Sequence, residues 1–156
     1  MSLKETIEKD FITAFKSKDT NAKAALSSIK AAITVAEKAS SAWSSTDAEV
    51  IKIINKGIKQ REESIKMYEL ACRTELVNKE SDEICVLRKY MPAQMTEQEI
   101  EFACKTIIEE MKKNSPYTDA AINPKTLMGK TMGEFNKRHQ GMAEISVVKN
   151  IIEKIL

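Results

Sequence analysis

The chain has 156 residues and a formal charge of +2, enough for one compact unit or two small ones burying roughly 70% of the unfolded surface. Only four glycines and three prolines accompany 31% charged residues, a helical composition, and no apolar run approaches the ~20 residues of a membrane span. Three cysteines without a Cys-x-x-Cys pair, and a single histidine, argue against a disulfide framework or a zinc site.

Ser2-Leu3-Lys4-Glu5 has capping-box spacing and opens a helix whose inward face is expected to be Leu3, Ile7, Phe11, Ala14 and Phe15. After a turn at Asp19-Thr20-Asn21, a second helix places Ala22, Ala25, Leu26, Ile29, Ala32, Ile33 and Ala36 inside. Serines at 40, 41, 44 and 45 mark the first loop, and Trp43 within it reads as a surface anchor or lid rather than a base-stacking residue. Thr46-Asp47-Ala48-Glu49 is a second capping box, opening a long helix with Val50, Ile54, Ile58, Arg61, Ile65 and Tyr68 on one face. Arg61 on that stripe predicts a position between helices, paired with a carboxylate. Lys52, Lys56, Lys59 and Lys66 on the other side read as a solvated face.

A fourth helix restarts at Arg73-Thr74-Glu75-Leu76, with Leu76, Ile84, Leu87 and Met91 inside, and runs to Pro92. Thr96 to Glu99 is a third capping box, followed by Ile100, Ala103, Cys104, Ile107, Ile108 and Met111 in one stripe. Residues 112–122 read as a polar loop. Asn123-Pro124 then starts a sixth helix with Leu127, Met128, Thr131, Met132 and Phe135 inside. Gly141 ends it, and Ile145, Val148, Ile151, Ile152 and Ile155 form the last stripe. Seven helices and no strand predict an all-α protein: an N-terminal four-helix antiparallel bundle over 1–91 followed by a small three-helix C-terminal domain over 96–156, with a hinge at 92–95.

Gly129 and Gly133 lie one turn apart inside the sixth helix, where each costs roughly 1 kcal/mol against Ala. The spacing predicts either close helix–helix packing within the fold or close approach by a partner such as a nucleic-acid backbone. Gly129-Lys130-Thr131 is not a phosphate-binding loop, because Pro124 stands where that loop requires its first glycine and the segment reads as helix. His139, beside Lys137 and Arg138, reads as part of a basic turn. Residues 122–156 carry six Lys/Arg against three Asp/Glu, a net of +3, whereas the rest carries −1. No catalytic carboxylate pair or nucleophile motif stands out, so no stand-alone enzyme and no cofactor are expected.

Several stretches resemble the GatB/YqeY family. They are Met128-Gly129-Lys130-Thr131-Met132-Gly133 with Gly141 and the terminal Ile/Val helix, Ile29-Lys30-Ala31-Ala32, the block from Ile58 to Arg73, and Tyr90-Met91-Pro92-Ala93-Gln94-Met95-Thr96-Glu97-Gln98-Glu99. Cys72, just before the fourth helix, stands where the family has a glycine and is on that ground expected to soften or remove the helix break. The family's Arg near Ser27 is absent. The resemblance, nearest to the stand-alone YqeY-like members, implies kinship with the tail domain of the tRNA-dependent amidotransferase B subunit. That association is with glutamine-dependent carbon–nitrogen ligase activity, here without visible catalytic residues. The implied function is a non-catalytic grip on tRNA, with Lys125, Gly129, Lys130, Gly133, Lys137, Arg138, Gly141 and Lys149 as RNA-binding residues. The implied partners are tRNA or a protein of aminoacyl-tRNA metabolism, and no membrane. The alternative is a protein–protein adaptor docking a partner through the Gly129/Gly133 face. Mostly buried, reduced cysteines and an N-terminus without a signal-peptide or transit pattern lead us to expect a cytoplasmic location, or an organelle matrix if a presequence has been removed.

Overall fold

The computed structural model describes residues 1–114 and 123–156. Among these residues there is no strand, and the expected all-α class holds. The helices are α1 (Leu3–Ser17), α2 (Thr20–Ala39), α3 (Asp47–Leu70), α4 (Thr74–Arg88), α5 (Glu97–Asn114), α6 (Pro124–Arg138) and α7 (Ile145–Ile155). α5 runs on to Asn114, so Lys112 and Lys113 close a helix, where positive charge suits the free carbonyls. The remainder of the expected polar loop, 115–122, lies outside the described residues.

The starts of α1, α2, α3, α5 and α6 are capped by side chains, whereas those of α4 and α7 are not. Ser2 Oγ accepts from Glu5 N–H at 3.2 Å, and Glu5 accepts from Ser2 N–H at 2.9 Å. Thr96 and Glu99 form the same reciprocal pair. Only half of the expected box at Thr46 forms: its Oγ1 accepts from Glu49 N–H, while the Glu49 carboxylate pairs instead with Lys52 Nζ at 2.7 Å. Asn123 Oδ1 accepts from Lys125 N–H at 3.0 Å, with Pro124 in the first turn.

The chain divides into two compact units, Met1–Met91 and Pro92–Leu156. In the first, Ile7, Leu26, Ile29, Ile33, Val50, Ile54, Ile58, Ile84 and Leu87 form the core, with Trp43 packed against it. Each such aliphatic side chain contributes about 1.5–3 kcal/mol by leaving water. Lys4 pairs with Glu37 at 2.6 Å, Lys30 lies over the Phe11 ring, and Lys23 lies over the Phe15 ring. Positions rising along α1 thus meet positions falling along α2, which makes this pair antiparallel. Arg61 sits between helices: it donates to Glu83 Oε2 at 2.9 Å, to Ser28 Oγ at 2.8 Å and to the Gly57 carbonyl at 3.1 Å. A Cβ on Gly57 would lie 3.0 Å from Ile29 Cδ1, so this glycine lets α2 and α3 come close.

Five local expectations are corrected. Phe15 faces outward, 59% exposed, because the inward arc of α1 is filled by Ile7 and Ala14. Ala32 is exposed. Cys72 preserves the helix break by adopting a left-handed conformation, φ 54°, and Arg73 N–H bonds back to the Tyr68 carbonyl at 2.9 Å. Only Cys104 of the three cysteines is buried, and burial raises its thiol pKa; Cys72 and Cys85 are exposed. α4 also ends at Arg88, short of Pro92, in a turn where Tyr90 and Met91 donate to the Leu87 and Arg88 carbonyls.

In the second unit α5, α6 and α7 each pack on the other two. Ile100, Cys104, Ile107, Phe135, Val148, Ile151 and Ile152 make its core. Thr131 is wholly buried, its hydroxyl satisfied by the Leu127 carbonyl at 2.7 Å. Met95 N–H donates to the Met142 carbonyl at 2.7 Å, and Gln94 Nε2 to the Gly141 carbonyl at 2.8 Å. Residues 94 and 95 are therefore fixed to the turn between α6 and α7.

Candidate functional site

Leu127, Thr131 and Phe135 are the buried residues of α6. With roughly 100° of rotation per residue, Gly129 and Gly133 come out on the opposite side of the helix. Both are exposed, and a Cβ built on either would meet no side chain or neighbouring helix within 4 Å. The expectation of close helix packing at these glycines is thereby corrected within the described residues. Their cost in helix propensity is offset by no contact.

The same outward arc carries Lys125, Thr126, Lys130, Asn136 and Lys137, with no carboxylate among them. Lys125 and Lys130 make no ion pair among the described residues. Lys137 stands 3.8 Å from Glu134 and is 79% exposed, a loose surface pair of little energetic weight. The result is a strip of bare backbone edged by three ammonium groups.

The other expected site residues fall elsewhere. Arg138 turns toward α5, where it donates to Glu110 Oε2 at 2.7 Å and to Glu134 Oε1 at 3.1 Å. The hydrogen bond with Arg138 holds the Glu110 carboxyl below the usual carboxylate range, and the Arg138 pKa is raised by the same bond and by Glu134. This guanidinium serves the α5–α6 contact. Gly141 has φ 74° in the turn after α6, where Met142 N–H closes on the His139 carbonyl at 3.1 Å. Its left-handed backbone is the reason for a glycine there, and the helix itself has ended at Arg138. Lys149 belongs to α7 and lies 3.9 Å from Glu153. Lys125, Gly129, Lys130, Gly133 and Lys137 are thus brought together; Arg138, Gly141 and Lys149 are not part of that strip.

Sequence reading missed a groove of about 600 Å³ lined by Met95, Phe102, Ala103, His139 and Met142, among others. Phe102 is 73% exposed there, and the His139 ring leans on Phe135 with centroids 4.9 Å apart. A Phe outside the apolar stripe of α5 was the available signal.

Among the described residues no cluster of His, Cys, Asp or Glu could hold a metal ion, and no helix is long and apolar enough to cross a membrane. The class defined is an all-helical protein of two units, the second bearing a cationic glycine strip. A family model described as Yqey-like protein matches residues 4–156, and the chain belongs to that family. It is also 30% identical over 91 residues to an uncharacterized protein of Schizosaccharomyces pombe, a match covering 58% of this chain and 73% of that one.

Proposed function

We propose that this protein is a non-catalytic RNA-binding module that grips the phosphate backbone of tRNA with the outward strip of α6. The observation that carries the reading is the open space over Gly129 and Gly133, edged by Lys125, Lys130 and Lys137. An exposed glycine pair that packs against nothing lowers helix stability, and a ligand's close approach is a physical reason for it. Ammonium groups on flexible stems meet phosphates without reading bases, so RNA shape supplies any preference for tRNA. The reading gives this chain no step in bond formation; a link to glutamine-dependent amidation of aminoacyl-tRNA would run through other proteins that supply the chemistry.

The test is a Gly129→Ala/Gly133→Ala variant. Helix propensity predicts a gain in stability of up to about 1 kcal/mol at each position. The RNA reading predicts weaker tRNA binding by this more stable protein. Unchanged binding in the stabilised variant would remove the glycines from the site.

A second reading, a protein adaptor, draws support from the groove beside Phe102 as well as from the glycine face. A docked apolar helix would bind with little dependence on salt, unlike a phosphate backbone.

A further inference from the structure

We propose that the seam between α1 and α2 is a second RNA-contact surface, taking single-stranded RNA with a base against Phe15 and phosphates on Lys16, Lys23 and Lys30. The inference uses residues of the first unit alone and does not rest on the α6 strip.

Phe15 is 59% exposed and Ile12 beside it 52%, in a chain with only four phenylalanines. The rings on this seam are paired with cations. Lys23 Nζ lies 4.6 Å from the Phe15 ring centroid, and Lys30 Nζ lies 4.3 Å from that of Phe11. Phe11 is half-buried against the core, so its ring anchors the seam while that of Phe15 is left to solvent.

The charge around the rings selects the occupant. Lys16 lies in the last turn of α1 and Lys18 just beyond it, while Lys23 and Lys30 of α2 lie over the Phe15 and Phe11 rings. The Asp19 carboxylate between the two helices caps α2 at Ala22 N–H. Residues 15–30 carry four lysines against one carboxylate, Asp19, and that excess favours a polyanion. A second copy of this chain would set lysines against lysines.

Among polyanions, single-stranded RNA matches the local pairing of ring and ammonium. A base stacks on the aromatic face as the lysine over it swings out to the phosphate, and such stacking is tolerant of sequence. Bases inside a duplex are not free to stack this way. An anionic bilayer fits less well: lysines at a membrane surface carry their charge away from the apolar side chains, whereas here the ammonium groups sit over the rings.

The experiment measures binding of a fluorescent oligo(U) dodecamer to the full chain by anisotropy. The variants are Phe15→Leu, Phe15→Trp, Lys23→Gln/Lys30→Gln and the α6 triple variant Lys125→Ala/Lys130→Ala/Lys137→Ala. Phe15 is outside the core, so thermal unfolding of F15L should match wild type and confirm that it folds. F15L should bind roughly five-fold to a hundred-fold more weakly, the range for one lost base stack, while F15W retains binding. The lysine pair should also weaken binding and flatten its salt dependence.

Unchanged binding in both F15L and the lysine pair, or no oligo(U) binding by wild type, overturns the proposal. Loss only in the α6 variant overturns the seam and keeps the α6 reading. Loss only in the seam variants supports the seam. Binding to phosphatidylserine vesicles that F15L abolishes, with no effect of F15L on RNA, would assign the seam to a membrane surface instead.

Discussion

Arg138 and Glu110 meet across α6 and α5 at 2.7 Å, and Glu134 takes a second edge of the same guanidinium at 3.1 Å. An arginine that chain position alone would give to a ligand is engaged within the unit. Arg138→Ala should therefore change RNA affinity less than loss of any one of Lys125, Lys130 or Lys137. The Glu110 carboxyl is held below its usual value of 4.5 by Arg138, so its stabilising contribution is present above that pH. It is lost as pH falls through the lowered folded value. Acid unfolding followed by circular dichroism should show wild type losing stability below about pH 4.5, and Arg138→Ala losing less over the same interval.

The Arg61–Glu83 pair is shielded, with side-chain exposures of 12% and 8%. Removing Glu83 leaves Arg61 only the more distant Glu80 carboxylate, at 4.0 Å. Glu83→Ala should cost about 3–5 kcal/mol in chemical denaturation. The double variant Arg61→Met/Glu83→Leu should cost less than either single truncation, because no buried charge is left unmatched.

Tyr90 donates its hydroxyl to Asp10 Oδ2 at 2.6 Å, joining residues eighty positions apart within the first unit. Burial, then the bond and charge of Asp10, push the Tyr90 pKa above its usual 10. A pKa raised on folding gives stability that is complete below the unfolded value and disappears as pH rises through the folded one. Tyr90→Phe should cost about 1.5–3 kcal/mol near neutrality, the worth of one hydrogen bond to a charged group. Above pH 10 the gap between wild type and Y90F should narrow, as measured by urea unfolding across alkaline pH.

Much of the fold was legible because its signals are local. The capping pairs at Ser2–Glu5 and Thr96–Glu99, and the apolar stripe of α5, follow directly from spacing, as do those of α2 and α7 apart from the exposed Ala32 and Ile145. Side-chain periodicity could not say that Ile7 and Ala14 would close the inward arc of α1 and leave Phe15 outside. Nor does residue type reveal backbone strain: Cys72 holds a left-handed turn usually given to glycine, kept by the Arg73–Tyr68 bond. In the candidate site, the glycine and lysine positions on α6 were readable at helical spacing. That Arg138 would be taken by Glu110 was not, because a contact between residues 28 positions apart depends on how α5 lies against α6.

The most direct measurement of the central claim is tRNA affinity across a salt series, for wild type and for Lys125→Ala/Lys130→Ala/Lys137→Ala. Each phosphate contact contributes roughly 0.7–0.9 to the slope of log affinity against log salt. The account predicts steep salt dependence in wild type, with the slope falling by about 2–3 in the triple variant as binding weakens. A wild-type protein that binds no tRNA at low salt, or a triple variant with unchanged affinity and slope, would contradict it.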